Sequence, residues 1–198
     1  MNTNIKRLNT EIIDDYLIFF ENIIKIDKSE CGNCYCMFFH TDEKAKEWTN
    51  RTKEKNKNDA VEYIKSGKLS GFLAYAGNNP IAWCNVNERN NFKFNKSRFH
   101  ILHDDNNAIS VVCFYIMQEY RGKGITNILL KHIINYYDNG KYDYLEAYPS
   151  TNKIKSNENY HGPLSSFIKN GFSIFKEMEE TDDFGDHETY NIVRYYYL

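Results

Sequence analysis

The sequence predicts an α/β fold, a single domain on a central mixed β-sheet flanked by helices. Three observations carry this reading. Residues 108–150 run through an apolar β-branched stretch, a glycine turn, a helix-period segment and a second apolar stretch, the pattern of a parallel βαβ crossover. Residues 71–87, "GFLAYAGNNPIAWCNVN", are two apolar runs around Gly77, Asn78, Asn79 and Pro80, the pattern of an antiparallel hairpin. The 198 residues suit one well-buried core, and no Pro/Gly/Ser-rich linker divides them, so residues 1–198 read as one domain.

A short strand is expected over residues 4–8. A helix over 11–24 follows, capped by Thr10 with Glu11 in its first turn and with Ile12, Ile13, Tyr16, Leu17, Phe20 and Ile24 on its apolar face. A second helical region spans 42–66, broken near 56–58 and ended by Gly67. After the hairpin, "AISVVCFYIM" (108–117) is almost continuously apolar and suits a strand buried on both faces. Ile125, Ile128, Leu129, Ile133, Tyr136 and Tyr137 recur at helical spacing, Asn139-Gly140 stops that helix, and 142–150 supplies the next strand. Gly162-Pro163 opens a short helix with proline first, and "GFSIFKE" and "TYNIVRYYYL" make two final strands.

Composition removes several function classes. The net charge is -2, with acidic and basic residues interspersed, which argues against a nucleic-acid surface. No apolar run has membrane-spanning length, and "MNTNIKRLNT" lacks the apolar core of a signal peptide. Five cysteines, odd in number and unevenly spaced, suit reduced thiols and a cytoplasmic location. "ECGNCYCMFFH" (30–40) formally offers Cys31, Cys34, Cys36 and His40 to a metal. Structural zinc usually draws its ligands as two separated pairs, and the interleaved Tyr35, Met37, Phe38 and Phe39 want burial. The expectation is a packed segment without metal.

The turn "MQEYRGKGITNILL" (117–130) places free backbone N–H groups at the positive end of a helix dipole, a site for phosphate. It is not a nucleotide P-loop, because Met117 stands where that motif has its first glycine and Gly124 where it has Ser or Thr. Nor is it a dinucleotide fingerprint, because Asn127 replaces the third glycine and the turn lies past the midpoint of the chain. Arg121, Gly122, Lys123, Gly124 and Ile125 instead resemble the coenzyme A loop of the GNAT acetyltransferase superfamily, with Thr126 in place of the last small residue. The order of elements and the junction Asn170-Gly171-Phe172 resemble that superfamily too.

The resemblance implies a GNAT acyltransferase fold and transfer of an acetyl group from acetyl-CoA, the cosubstrate, to an amine by direct attack on the thioester. It implies that Phe114, Tyr115 and Ile116 line the pantetheine arm where two parallel strands splay. The Ile116 N–H would polarise the thioester carbonyl, and Arg121, Gly122, Lys123, Gly124, Ile125 and Thr126 would hold the pyrophosphate. Chemistry adds a base and an acid. Glu146, on the strand facing the cleft, is the candidate base. Phe167 stands where the family usually has its tyrosine acid, so Tyr160 is the candidate acid. The acceptor would be a small-molecule amine or a peptide N-terminus, met by the first two helices, their connection including Cys36 and Phe38, and residues 87–99. The alternative is a degenerate GNAT domain that binds acetyl-CoA without turnover.

Overall fold

The computed structural model describes residues 3–43, 45–93, 107–151, 159–181 and 187–197. The expected acceptor-side residues 94–99 lie outside that range. Seven strands form one sheet in the order β1-β2-β3-β4-β5-β7-β6. They are β1 (Thr3–Arg7), β2 (Gly71–Ala76), β3 (Asn79–Glu88), β4 (Ala108–Ile116), β5 (Tyr144–Ala147), β6 (Ser173–Thr181) and β7 (His187–Tyr196). Among the described residues only β4 and β5 pair in parallel; the other five neighbouring pairs are antiparallel. The sheet is mixed, as the crossover and hairpin patterns require.

Alternation along the strands decides which helices cover which face. Phe72, Ala74, Cys84, Val111 and Leu145 point to one face and pack under α4 (Ile125–Tyr137), whose Ile125, Leu129 and Ile133 are buried among them. Leu73, Tyr75, Trp83 and Tyr115 point to the other face, beneath α1 (Ile13–Lys25) and α3 (Lys53–Lys65). Each face thus has its own apolar core. No helix among the described residues is long and apolar enough to cross a membrane.

Three local expectations change. The first helix starts with a 3-10 turn at Thr10–Ile12, and the cap is Asn9, whose side chain accepts the Glu11 N–H at 2.9 Å, rather than Thr10. Of the expected apolar face Tyr16 and Phe20 are buried and Ile12, Ile13 and Leu17 pack partly buried against the same core, while Phe19 and Ile23 are buried in addition. The second helical region breaks between α2 (Ala45–Trp48) and α3, not near 56–58, because Thr52 Oγ1 accepts the Lys55 N–H and begins α3 there. Asn56 is a buried pin inside α3: its side chain accepts from Arg51 Nε at 2.7 Å and donates to the Asn33 carbonyl at 3.0 Å.

Candidate active site

The parallel pairing of β4 and β5 lasts four residue pairs, from Ala108 with Tyr144 to Val111 with Ala147. Beyond it the strands part. Residues 149–151 follow β7, through Asn191 N–H to Pro149 O and Thr151 N–H to Thr189 O, both 2.9 Å. β4 continues beside β3 as far as Ala82 opposite Ile116. Residues 160 and 161 cross the gap: the Phe114 N–H donates to the Tyr160 carbonyl at 2.6 Å, and His161 Nδ1 lies 3.1 Å from the Val112 carbonyl, to which it donates. Met117 N–H points back to β3, bonding Ile81 O, so by the alternation of a strand the Ile116 N–H faces the gap.

At the mouth of the gap lies the glycine turn. Gly122 (φ 72°) and Gly124 (φ 78°) both take the left-handed conformation that glycine adopts without strain, and a Cβ on either would meet no atom within 4 Å. Gly124 is the N-cap of α4 and has no side chain to cover the first N–H groups of the helix. Arg121 is set in place by Nε donating to the Ile116 carbonyl at 2.9 Å, with its guanidinium 5.3 Å from the Tyr115 ring centre. Lys123 stands 5.1 Å over the Tyr120 ring, while Ile125 is buried in the core under α4. The turn thus combines uncovered backbone N–H groups at a helix N-terminus with Arg121 and Lys123 nearby in sequence, chemistry that suits an anion.

A groove of about 230 Å³ runs from this turn between Phe114, Tyr115 and Ile116 on one side and Gly162 and Pro163 on the other, with Arg121, Gly122 and Thr126 at its mouth. A second cavity of about 230 Å³ lies between the sheet, α1 and residues 31–39, with Trp48 at its edge. The two share Cys31, Tyr115 and Tyr160. Tyr160 thus stands at the neck between them, and Tyr115, also at the neck, donates its hydroxyl to Asp27 Oδ2 at 3.1 Å. Burial pushes Tyr115 up to about 12.

Glu146 lies elsewhere. It is 1% exposed, accepts from Arg194 Nε at 2.7 Å and from the Tyr148 hydroxyl at 2.8 Å, and lines neither cavity. Phe167 is fully buried against Phe114 and Phe172 and belongs to the core.

The cysteine segment forms the wall of the second cavity. Tyr35 (φ 40°) and Cys36 (φ 52°) are both left-handed without being glycine, at a cost of about 1–3 kcal/mol each. The Tyr16 hydroxyl on the Tyr35 carbonyl and the Tyr35 hydroxyl on Glu21, both 2.6 Å, hold them there. Asn85 Nδ2 reaches Cys36 Sγ at 3.2 Å and His40 Nε2 at 3.1 Å. Burial lowers the His40 pKa to about 4, so its ring is neutral. At Cys36 burial opposes the thiolate, but hydrogen bonds from Cys113, Trp83 and Asn85 outweigh it and keep this thiol below its ordinary range. Trp83, fully buried, contributes to the wall of the same cavity. Among the described residues no three His, Cys, Asp or Glu side chains are grouped so as to hold a metal ion. Trp83, Asn85 and Cys113 went unmarked as site residues from sequence, although strand alternation puts Trp83 and Asn85 on the face of Tyr115 and Cys113.

Residues 34–160 match the model of the acetyltransferase (GNAT) family, well over half the chain. The chain belongs to the GNAT acetyltransferase family. Solved structures agree on the GNAT fold along its whole length. A GNAT-family acetyltransferase from Streptococcus pneumoniae is 13% identical, with all of both chains covered and a TM-score of 0.59. An N-acetyltransferase from Staphylococcus aureus Mu50 is 14% identical, with 99% of each chain covered and a TM-score of 0.61. YncA from Salmonella typhimurium, solved with its cofactor acetyl-CoA, is 12% identical, covers 98% of this chain and 93% of its own, and has a TM-score of 0.57. At such identities the likeness is one of fold alone. No curated protein matches the sequence.

Proposed function

We propose that this GNAT protein transfers an acetyl group from acetyl-CoA to an amine by direct attack of the nitrogen on the thioester. The observation that carries the reading is the meeting of two cavities at shared residues, one leading from the glycine turn along β4, the other lying between the sheet, α1 and residues 31–39. In this reading the backbone donors of residues 122–126, with Arg121 and Lys123, hold the pyrophosphate. Phe114, Tyr115 and Ile116 flank the pantetheine arm, and the Ile116 N–H stabilises the oxyanion that develops on the thioester carbonyl. Tyr160, at the neck, gives its proton to the departing thiolate. Glu146 holds Arg194 rather than the incoming amine. All five cysteines are free thiols, which supports a reducing compartment, the cytoplasm.

The test is acetyl-CoA itself. A ligand at 100 times its Kd that binds only the folded state adds about 2.7 kcal/mol of stability, a clear rise in Tm. Gly124→Val puts a β-branched side chain at a left-handed φ in the glycine turn, and is expected to remove that rise while the ligand-free protein stays folded. An unchanged rise in the variant refutes the assignment of the turn.

A further inference from the structure

The cysteine segment contains a Cys-x-x-Cys pair, Cys31 and Cys34, that the chemistry of acetyl transfer does not use. Both residues belong to a single 3-10 turn, Glu30–Cys34. Such a turn has three residues per revolution and rises about 2.0 Å per residue, so positions i and i+3 eclipse with their Cα atoms about 6 Å apart. A disulfide spans Cα separations of about 4.4–6.8 Å. The two cysteines therefore stand on one side of the turn, within the span of a disulfide, with no change of backbone.

The turn is held from several sides. A Cβ on Gly32 would lie 2.6 Å from the Phe20 carbonyl oxygen and 2.6 Å from Ile24 Cγ1, so the backbone between the two cysteines is pressed onto α1. The Asn33 carbonyl accepts from Asn56 Nδ2 at 3.0 Å, and Ser29 Oγ accepts the Cys31 N–H at 3.3 Å. The pair is also asymmetric. Cys31 is exposed and lines both cavities, whereas Cys34 is half-buried and lines only the second. Cys34 Sγ accepts the Cys36 N–H at 3.2 Å. Burial first, then the neighbouring Cys36, holds the Cys34 proton more tightly than that of an ordinary thiol. A reagent arriving from solvent or along either cavity meets Cys31 before Cys34.

We propose that Cys31 and Cys34 form a redox-active dithiol that reacts with small disulfides such as oxidised glutathione. The Cys31 thiolate attacks one sulfur of the small disulfide, whose S–S bond breaks; one thiolate leaves and a mixed disulfide forms on Cys31. Cys34 gives its proton to solvent, attacks the Cys31 sulfur and expels the second thiolate. Both departing thiolates take up protons. The dithiol is oxidised by two electrons to the Cys31–Cys34 disulfide, and one small disulfide is reduced to two thiols. The proposal stands apart from the acetyl-transfer reading, and its test needs no acetyl-CoA.

The experiment incubates the reduced protein with an excess of oxidised glutathione, quenches it with an alkylating reagent under denaturing conditions, digests it with chymotrypsin and reads the peptides by mass spectrometry. Cleavage after Tyr35 separates Cys31 and Cys34 from Cys36. The expected product is a peptide ending at Tyr35 that has lost two hydrogens and carries no alkyl group, while Cys36, Cys84 and Cys113 are alkylated. Limiting iodoacetamide on the native protein is expected to label Cys31 at least about tenfold faster than Cys34, because reaction follows exposure and thiolate character. Cys34→Ser is expected to stop at the glutathione adduct on Cys31, and Cys31→Ser to leave Cys34 unmodified in the time the wild type takes to close. A disulfide that draws on Cys36 or Cys113 instead overturns the proposal, as does equal labelling of Cys31 and Cys34. A glutathione adduct that persists on Cys31 of the wild type without closing overturns it too. The peptide map and the labelling are read on the wild-type chain, so the outcome does not depend on either variant folding.

Discussion

Tyr160 is positioned by its own main chain: its carbonyl receives the Phe114 N–H, which ties the ring's location to β4. Loss of its hydroxyl leaves this main-chain anchor in place. Tyr160→Phe should lower kcat by about a hundredfold, within the range of acid–base catalysis, with acetyl-CoA affinity by calorimetry unchanged. Equal kcat would place proton donation elsewhere. Glu146 and Arg194 are 1% and 4% exposed, and a buried ion pair broken from one side costs about 3–5 kcal/mol. Glu146→Gln keeps the shape and removes the charge, so urea unfolding should show a loss of about 3 kcal/mol with turnover of the folded fraction retained. Unchanged stability with turnover gone would return Glu146 to the chemistry. Sequence showed Glu146 on a strand beside the cleft, but its partner stands 48 positions away on β7, and nothing in local spacing announces that pairing.

At the scale of elements, the strands and the crossover were legible because their periods are strong. The runs at 71–87 and 108–117 became β2, β3 and β4 nearly to the residue. The helix pattern after Gly124 became α4. Where polar residues carried the signal, tertiary contacts overrode it: Asn56 to Asn58 resembled a break, yet Asn56 is helical because Arg51 and Asn33 occupy its side chain. The glycine turn before α4 was legible because glycine acts locally, whereas the aromatic cavity was only half legible, since its walls meet from α1, residues 31–39, β3 and β4. Gly71 shows the same limit. It reads as a plain strand start, but a Cβ there would overlap the Cys84 carbonyl and the Trp83 ring. Gly71→Ala should cost about 2–3 kcal/mol, because a backbone carbonyl cannot move aside as a flexible side chain does. Thermal unfolding measures it, and a neutral result would mean that β2 and β3 can slide apart freely.

For the whole molecule, acid is the informative stress. Burial holds His40 at about 4 against an ordinary 6.5. Lys53, then Tyr35, hold Glu21 at about 2 against 4.5, with Lys57 adding to both. Both groups bind protons more weakly folded than unfolded, so their stability is complete above the ordinary values and is lost as pH falls, first from 6.5 toward 4 and then from 4.5 toward 2. Between pH 7 and 5 the wild type should lose about 2 kcal/mol that His40→Gln does not lose, read from urea unfolding at the two pH values. Parallel losses would show that His40 is protonated in the native state.

The strand order also sets a timetable for synthesis. β1 to β4 are neighbours in the sheet in the order they are made, apart from the long excursion between β1 and β2, so they can pair as they emerge. β7, however, inserts between β5 and β6, and β6 has no neighbour until residues 187–196 have left the ribosome. At about 5–20 residues per second, the 48 positions between Glu146 and Arg194 amount to a few seconds. Until then β5 lacks its antiparallel neighbour, and Glu146 has Tyr148 but not Arg194 to bond. A charge on an exposed edge strand discourages pairing with other chains, so the carboxylate that Arg194 neutralises in the folded sheet is of a kind that would disfavour wrong partners before β7 is made.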